Sequence, residues 1–381
     1  HISMKKLIFK KLISDINIFF FIAILSTAAV IWVVQAVNFL DIIAEDGHSF
    51  KIYFLYTIFN LPKIISKILP FVFLISLINI FVKYEINNEL IIFWLLGINK
   101  IKFTNTILKI SVLYFFLQLS LTSFFVPYSL DKARSFFRNS NVDLFTSIIK
   151  EKKFIDAVSN LTIFVEEKNG DMLKKIMLKD RIGNNEFQII VAEDGKILNN
   201  GLNKSLSLYN GKIINHSNKS QKIINFSEFQ FDLSKYSSNT ISHPKIQENS
   251  SKKLLKCFNK INYELKKNLV LQKINVLYLG CNFESKNIIK EELFKRFYSP
   301  IYIILIGLIS SLVILRSKDN KKYFLINSFI FIIGVFIVIL SEISLKYSSL
   351  NDQSTLLYIG TPIFIFIPIY IYLIHNSQNK S

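Results

Sequence analysis

The residues best placed for chemistry in this chain are two carboxylates, Glu85 and Glu89, in the stretch KYEINNELIIFWLLGINK at 83–100. Carboxylates near a helix start are favoured by the helix dipole, and an apolar stripe beside polar residues is typical of a surface helix. We interpret 83–100 as an amphipathic helix that contacts a partner protein, with a merely solvated acidic helix end as the alternative. Four more residues of the stretch share one side of an ideal helix: Leu90, Phe93, Trp94 and Gly97.

A lysine pair and a cysteine pair are the other candidates. Lys63 and Lys67 lie one helical turn apart in an otherwise apolar stretch. They could bind phosphate groups or extend their ammonium groups to a membrane surface. Cys257 and Cys281 are the two cysteines of the chain. Two cysteines define neither a metal site nor a disulfide framework, so a single disulfide and two free thiols both remain open.

The chain contains none of the common catalytic or nucleotide-binding motifs. It has no GxxxxGK[ST] loop, no HExxH, no GxSxG and no DxDxDG loop, and no paired catalytic carboxylates or nucleophile with its base. The histidines His48, His216, His243 and His375 are scattered, as surface histidines usually are. We therefore expect no enzymatic activity, no cofactor and no metal site in the chain itself.

Six apolar stretches must position these residues. The chain has 381 residues, of which 51% are hydrophobic, and a helix of about 20 residues crosses a hydrocarbon core of roughly 30 Å. Pro62 suits the first turn of the second stretch, and 50–61 is expected to be an interfacial segment. The predicted membrane spans are 16–40, 62–82, 101–126, 300–315, 323–345 and 356–374.

The basic residues predict how these spans are oriented. Four lysines precede the first span, and the loop RSKDNKK at 316–322 carries four more basic residues. Because lysine and arginine accumulate on the cytoplasmic side, both termini and the stretch 83–100 are predicted to be cytoplasmic. The insert after the third span is then predicted to lie outside. The lysines before the first span are Lys5, Lys6, Lys10 and Lys11.

The insert has the pattern of short β-strands. Between Phe154 and Leu233, segments such as EFQIIVAE and SLSLYNG alternate apolar and polar residues. No long helical pattern interrupts them, which favours a sandwich or jelly-roll. The predicted fold class is an α-helical polytopic membrane protein with six transmembrane helices (3+3) and an inserted all-β, β-jellyroll-like domain. The predicted domains are 4–127 with a cytoplasmic helix at 83–100, 128–297 with the β domain and a return segment, and 298–381.

Short motifs along the whole chain carry a resemblance to one family. Each motif alone is weak, but their order resembles the LptF/LptG family, the permease subunits of the ATP-driven lipopolysaccharide exporter. The exit from the first span resembles the LptF branch more than the LptG branch. The motifs are QAVNFLD at 35–41, leucine–proline pairs ending at Pro62 and Pro70, ELIIFWLLG at 89–97, NLTIFV at 160–165, LYNG at 208–211 and KRFYSP at 295–300.

The resemblance implies an assembly in the bacterial inner membrane. A second permease, LptG-like or LptF-like according to the branch of this chain, would face it across a cavity that receives lipopolysaccharide. A dimer of an LptB-like ATPase would bind on the cytoplasmic side and hydrolyse ATP. LptC-like and LptA-like proteins would form a bridge from the periplasmic β domain toward the outer membrane.

The resemblance also implies roles for individual residues. Glu89 matches the family's acidic position at the start of the cytoplasmic coupling helix, and is expected to pair with a basic residue of the ATPase. Lys63 and Lys67 would bind lipid phosphates. The family often has a basic residue where this chain has Asn38, and Lys346 is expected to compensate. The other expected coupling residues are Glu85, Leu90, Phe93, Trp94 and Gly97.

Two other classes of protein remain open at this point. A membrane-anchored assembly or sensor protein would use the same β domain to bind a periplasmic partner without transport. A permease for lipoproteins or small molecules commonly carries its large external domain after the first span, which the 3+3 arrangement disfavours. Co-purification of a small cytoplasmic ATPase would distinguish an exporter from a sensor.

Overall fold

The computed structural model describes residues 2–40, 50–140, 149, 151–158, 161–181, 187–200, 203–217, 220–232, 245–266 and 285–378. The chain divides into two compact units. The helical unit comprises His1–Val33, Asn60–Asp131 and Lys245–Ser381, and the sheet unit comprises Val34–Phe59 and Lys132–Pro244. The sheet unit thus includes the region where the sequence predicts a β-rich insert.

The described part of the chain is mostly helical. A π-helical turn, Leu121–Phe125, follows the fifth helix, and short 3₁₀ segments occupy Ile246–Glu248, Ser299–Ile301 and Ser311–Leu315. The helices are α1 (Ile2–Asn38), α2 (Phe50–Phe59), α3 (Leu61–Ile86), α4 (Glu89–Leu95), α5 (Lys100–Ser120), α6 (Val126–Ser140), α7 (Ser251–Lys266), α8 (Lys286–Phe297), α9 (Tyr302–Ser310), α10 (Tyr323–Tyr347) and α11 (Asp352–Gln378).

Six helical segments of the described chain are long and apolar enough to cross a membrane, which confirms the predicted six-span fold class. Each segment extends beyond at least one of its predicted limits, because the helix continues into polar residues at its ends. Residues 50–61, predicted as interfacial, form α2 and lead through Asn60 into α3, which has Pro62 in its first turn. The segments are Met4–Asn38, Phe50–Ile86, Lys100–Phe136, Lys286–Leu315, Tyr323–Tyr347 and Asp352–Asn376.

The core of the helical unit lies where the spans cross. Two crossings are close enough to exclude a side chain. A Cβ on Gly307 of α9 would lie 1.9 Å from the Ser111 Oγ, and a Cβ on Gly334 of α10 would lie 2.6 Å from Leu74. Small residues at such crossings allow membrane helices to approach closely. Buried aromatic rings from three spans belong to the same core: Phe20, Phe73 and Phe103.

The sheet unit contains one antiparallel sheet in which each described strand pairs with the next. Leu161, Ile163 and Val165 alternate with less buried residues along the second strand, as expected for a sheet with one apolar face. The predicted all-β insert is confirmed, and its described strands form a meander. The strands are β1 (Lys153–Val158), β2 (Leu161–Asn169), β3 (Met172–Arg181), β4 (Phe187–Asn200), β5 (Asn203–Ser217) and β6 (Ser220–Asp232).

Along one row of residues that crosses the sheet, the strands switch the face that carries their buried side chains. On β3, the buried residues Leu173 and Ile176 are an odd number of positions apart, which in a regular strand would place them on opposite faces. Lys175, between them, has a φ of 48°. On β5 the same change occurs around Asn210, whose φ is 50°. Local irregularities of this kind bend strands and redirect side chains. Apolar residues on both sides of the row therefore share one core.

The segment that follows the sheet packs with the helical unit. The sheet unit ends at Pro244, so the return segment, which the sequence assigns to the β domain, groups with the spans. Cys257 is buried and disulfide-bonded, and Cys281 lies outside the described residues. α7 and α8 meet in a small apolar cluster formed by Leu254, Cys257, Ile261 and Ile289.

Candidate functional site

The stretch 83–100 folds as the end of a membrane span, a turn and a short helix. α3 continues through Glu85 to Ile86, and α4 begins only at Glu89. The two carboxylates therefore belong to different elements, contrary to the single helix that the periodicity predicts. The break lies at Asn88, whose φ of 60° is left-handed, a conformation that asparagine adopts more readily than most residues.

Gly97 ends α4 with a Schellman motif. Its φ is +69°, the Gly97 N–H donates to the Trp94 carbonyl at 2.9 Å, and the Ile98 N–H donates to the Phe93 carbonyl at 3.0 Å. A left-handed glycine after a helix commonly satisfies the last carbonyls in this way. Gly97 therefore caps the C-terminus of α4, and this turn sets the end of the helix.

Both carboxylates have partners within the chain. Glu89 Oε2 lies 3.0 Å from the Lys11 Nζ of α1. Glu85 Oε1 accepts a hydrogen bond of 2.9 Å from the Lys318 backbone N–H, and the Lys318 Nζ donates to the Ile86 carbonyl at 3.2 Å. The Glu89 side chain remains 26% exposed. The Glu89 carboxylate is therefore paired within the chain but only partly buried.

Leu90 and Phe93 face the interior of the helical unit. Each is 1% exposed, and the Phe93 ring packs edge-on against Phe9 of α1 with centroids 5.4 Å apart. Trp94 is half-buried, and the Lys100 Nζ lies 5.9 Å from its ring centroid. The helical wheel placed Leu90 and Phe93 on a partner-facing side, whereas the structure uses both side chains to anchor α4.

The exposed side of α4 is also apolar. Leu95 is 80% exposed, Ile91 is 53% exposed and Ile92 is 45% exposed. Clustered exposed apolar side chains with polar surroundings mark interaction sites. The segment ELIIFWLL is apolar all round after its first residue, so periodicity could not distinguish the side that faces the core from the side that faces outward.

Three elements meet at this end of the helical unit. Lys11 joins the N-terminal part of α1 to α4, and the loop at 316–322 contacts the end of α3 through Lys318. The Lys100 Nζ donates to the Leu315 carbonyl at 3.2 Å. In the described part of the chain, no group of three or more His, Cys, Asp and Glu residues could hold a metal ion. This end therefore combines ion pairs with exposed apolar side chains.

The lysine pair lies at the other end of α3. Lys63 and Lys67 are near its start, roughly 30–35 Å from its last residue at 1.5 Å per residue. Lys245 and Lys295 act electrostatically on Lys63, as does the carboxylate of Glu248. The fold therefore adds two lysines that are distant in sequence, and it creates a cationic region suited to phosphate groups.

Asn38 and Lys346 lie at the ends of α1 and α10. Lys346 is exposed at the end of α10 and acts electrostatically on Glu291 of α8, as does Lys295, which also acts on Lys63. Asn38 is the exposed last residue of α1 and belongs to the sheet unit. A compensating role of Lys346 for Asn38 stays a prediction.

Arg296 is a buried charge to which the sequence assigns no role. Its side chain is 1% exposed, and its Nε lies 3.0 Å from Glu292 Oε1. Its two Nη atoms donate to the Asn249 carbonyl at 2.8 Å and the Gln247 carbonyl at 3.0 Å. The Arg296 carbonyl accepts a hydrogen bond of 2.8 Å from Thr122 in the π-helical turn. Arg296 thus joins α8 to the returning chain and to the end of the third span.

Comparison with known proteins identifies the family of this chain. The family model of the lipopolysaccharide export system permease LptF/LptG matches residues 10–376. A protein of Rickettsia prowazekii (strain Madrid E), named Uncharacterized protein RP871, is 23% identical over 206 residues, which are 53% of this chain and 56% of that relative. The chain therefore spans just over half the length of the curated relative it matches. Because the family model extends from α1 to α11, the chain belongs to the LptF/LptG family of lipopolysaccharide export permeases.

Proposed function

We propose that this chain is a permease subunit of an ATP-driven exporter. The exporter extracts lipopolysaccharide from the bacterial inner membrane and passes it to a periplasmic bridge toward the outer membrane. The observation that carries the proposal is the short helix α4, which is anchored inside by Leu90 and Phe93 and exposes Ile91, Ile92 and Leu95. Such a helix can receive force from a docked protein and transmit it to the spans.

The exposed side of α4 suits a hydrophobic groove on an LptB-like ATPase. A helix laid in a groove is recognised through apolar anchors and a polar rim, here Leu95 with Ile91 and the carboxylate of Glu89. Movement of α4 would reach α1 through the Phe93–Phe9 ring contact and the Glu89–Lys11 ion pair. The chain itself is non-catalytic in this mechanism, and an ATPase dimer hydrolyses ATP.

The charge distribution supports a cytoplasmic position for α4. The lysines at the start of α1 and the basic loop at 316–322 lie at the same end as α4, and basic residues favour the cytoplasmic side. The sheet unit would then lie in the periplasm, with both termini in the cytoplasm. The disulfide of Cys257 agrees with an oxidising compartment outside the inner membrane.

The cationic region at the start of α3 supports a phosphorylated lipid as cargo. Lys63, Lys67, Lys245 and Lys295 offer several ammonium groups to phosphates, and charge-assisted hydrogen bonds of this kind are strong. A second permease of the family would complete the cavity. The sheet unit would deliver the lipid to LptC-like and LptA-like bridge proteins.

Co-expression of this chain with a second family permease and the LptB-like ATPase of the same genome tests the proposal. We expect a stable complex in mild detergent with ATPase activity. Leu95→Asp should release the ATPase, because a charge would enter an apolar groove. Ile223→Asp is the matched control, since Ile223 is an exposed aliphatic residue of β6 (61%). An unmodified chain that retains no ATPase would overturn the proposal and favour the sensor.

A further inference from the structure

We propose that a basic pocket between α1 and α5 binds the headgroup of a phospholipid with two phosphate groups. The pocket has a volume of about 600 Å³. It lies on the helical unit beside α4, and its lysines have no role in the export mechanism proposed above. The five lysines that line it come from both helices: Lys5, Lys6, Lys10, Lys102 and Lys109.

The pocket carries positive charge without a carboxylate in its lining. The nearest acids on α1 and α4 are engaged elsewhere: Asp15 accepts a hydrogen bond from Tyr84, and Glu89 pairs with Lys11. In the described part of the chain, none of the five lining lysines takes part in an ion pair. Such a pocket favours an anion with more than one charge.

The floor of the pocket is apolar and continues into an apolar surface. Phe9 and Ile13 of α1 lie among the lysines. On α5, Leu113 and Phe116 follow Lys109 at helical spacing, on the same face, and are 63% and 57% exposed. A headgroup held by the lysines would therefore place its acyl chains along this surface.

The depth of Lys109 favours a lipid over a soluble anion. Lys109 lies within the span that begins at Lys100, roughly 13 Å from that end at 1.5 Å per residue. A lysine at this depth extends its ammonium group toward the membrane surface, where lipid phosphates lie. Basic pockets between spans on the cytoplasmic side are suited to cardiolipin headgroups. With lysines on two sides, one phosphate can face α1 and the other α5.

The pocket is linked to the helix that receives the partner protein. Phe9 lines the pocket and packs against both Phe93 of α4 and Phe103 of α5, with centroids 5.4 Å and 6.1 Å apart. A lipid bound over Phe9 would brace α1 against α4. Occupancy of the pocket would then favour the position of α4 seen in this structure.

Native mass spectrometry of the full chain in detergent, titrated with tetraoleoyl cardiolipin, tests the site independently of export. Lys102→Gln/Lys109→Gln should weaken retention roughly 25-fold, about fivefold for each lysine. Lys321→Gln/Lys322→Gln is the matched control, because it removes the same charge from an exposed loop at the same end. We expect less than about a twofold effect from it, since each lysine lies outside the pocket.

A second variant distinguishes binding of the lipid in the pocket from general electrostatic attraction to the lysines. Thr106 lines the cavity, so Thr106→Trp fills it without changing the charge and should also abolish tight retention. Three outcomes would overturn the proposal: equal losses in both lysine variants, equal retention of cardiolipin and phosphatidylcholine, or displacement of cardiolipin by inorganic pyrophosphate. The last of these would identify a soluble phosphate compound as the ligand. Preferential capture of an acidic protein with no lipid bound would also contradict it.

Discussion

Arg296 and Glu292 form an ion pair one helical turn apart on α8, with 3.0 Å between Nε and Oε1, and Arg296 is almost completely buried. A buried charge is tolerated only when its hydrogen bonds are complete. Carbonyl groups of Gln247 and Asn249 complete those of Arg296. The pair therefore connects α8 to the segment at 247–249, where the chain returns to the helical unit.

Arg296→Met should destabilise the helical unit by about 3 kcal/mol, because it leaves the carbonyl groups of Gln247 and Asn249 without their donor and leaves Glu292 with only Lys295, at 3.9 Å. Thermal unfolding of the full chain in detergent measures the effect as a lower midpoint. Arg296→Met/Glu292→Leu should recover part of the loss, since it also removes a carboxylate that has lost its closer cation. Arg316→Met, at an exposed loop position, is the control. Equal midpoints for Arg296→Met and Arg316→Met would contradict the assignment.

Glu89→Lys should abolish ATP-driven lipopolysaccharide release while the complex stays assembled. It places two ammonium groups together in place of the Lys11–Glu89 ion pair and repels a basic residue of the ATPase. Lys11→Glu/Glu89→Lys restores the internal pair with reversed charges. We expect this double variant to remain inactive in a reconstituted transport assay. Recovery of transport would show that the internal pair is the whole role of Glu89.

Lys63→Gln/Lys67→Gln should weaken photo-crosslinking of lipopolysaccharide to α3 by roughly an order of magnitude, because each charged hydrogen bond to phosphate contributes about 1.5–3 kcal/mol and exposure to water reduces that value. Lys252→Gln/Lys253→Gln removes two exposed charges from α7 and should leave crosslinking unchanged. Unaltered crosslinking and export in the Lys63/Lys67 variant would mean that both lysines only extend to the membrane surface.

Gly97→Val should shift or fray the end of α4 and lower the midpoint of unfolding. A Cβ at Gly97 would meet no atom within 4 Å, so the cost is purely conformational, on the order of 1–2 kcal/mol for a left-handed residue. Gly97→Asn should be milder, because asparagine tolerates positive φ. ATPase stimulation by the complex should fall in the same order. A variant order set by side-chain volume instead would argue for crowding at a partner surface.

The sequence by itself determines the elements of this protein. Six apolar segments and the alternating strands of the insert are local patterns, since a membrane span needs about 20 largely apolar residues in succession and a sheet with one apolar face imposes a period of 2 residues. The ending of α4 at Gly97 follows in the same way from the conformational freedom of glycine. The order of short motifs also carried the family resemblance that the match over residues 10–376 supports.

Only the tertiary structure decided which residues meet. The helical wheel could not tell the anchored side of α4, with Leu90 and Phe93, from its exposed side at Leu95, because both are apolar. Lys11 reaches Glu89 across 78 positions, and Arg296 binds carbonyl groups more than 40 positions away. Such contacts depend on how the spans cross, and no local pattern in the sequence predicts them.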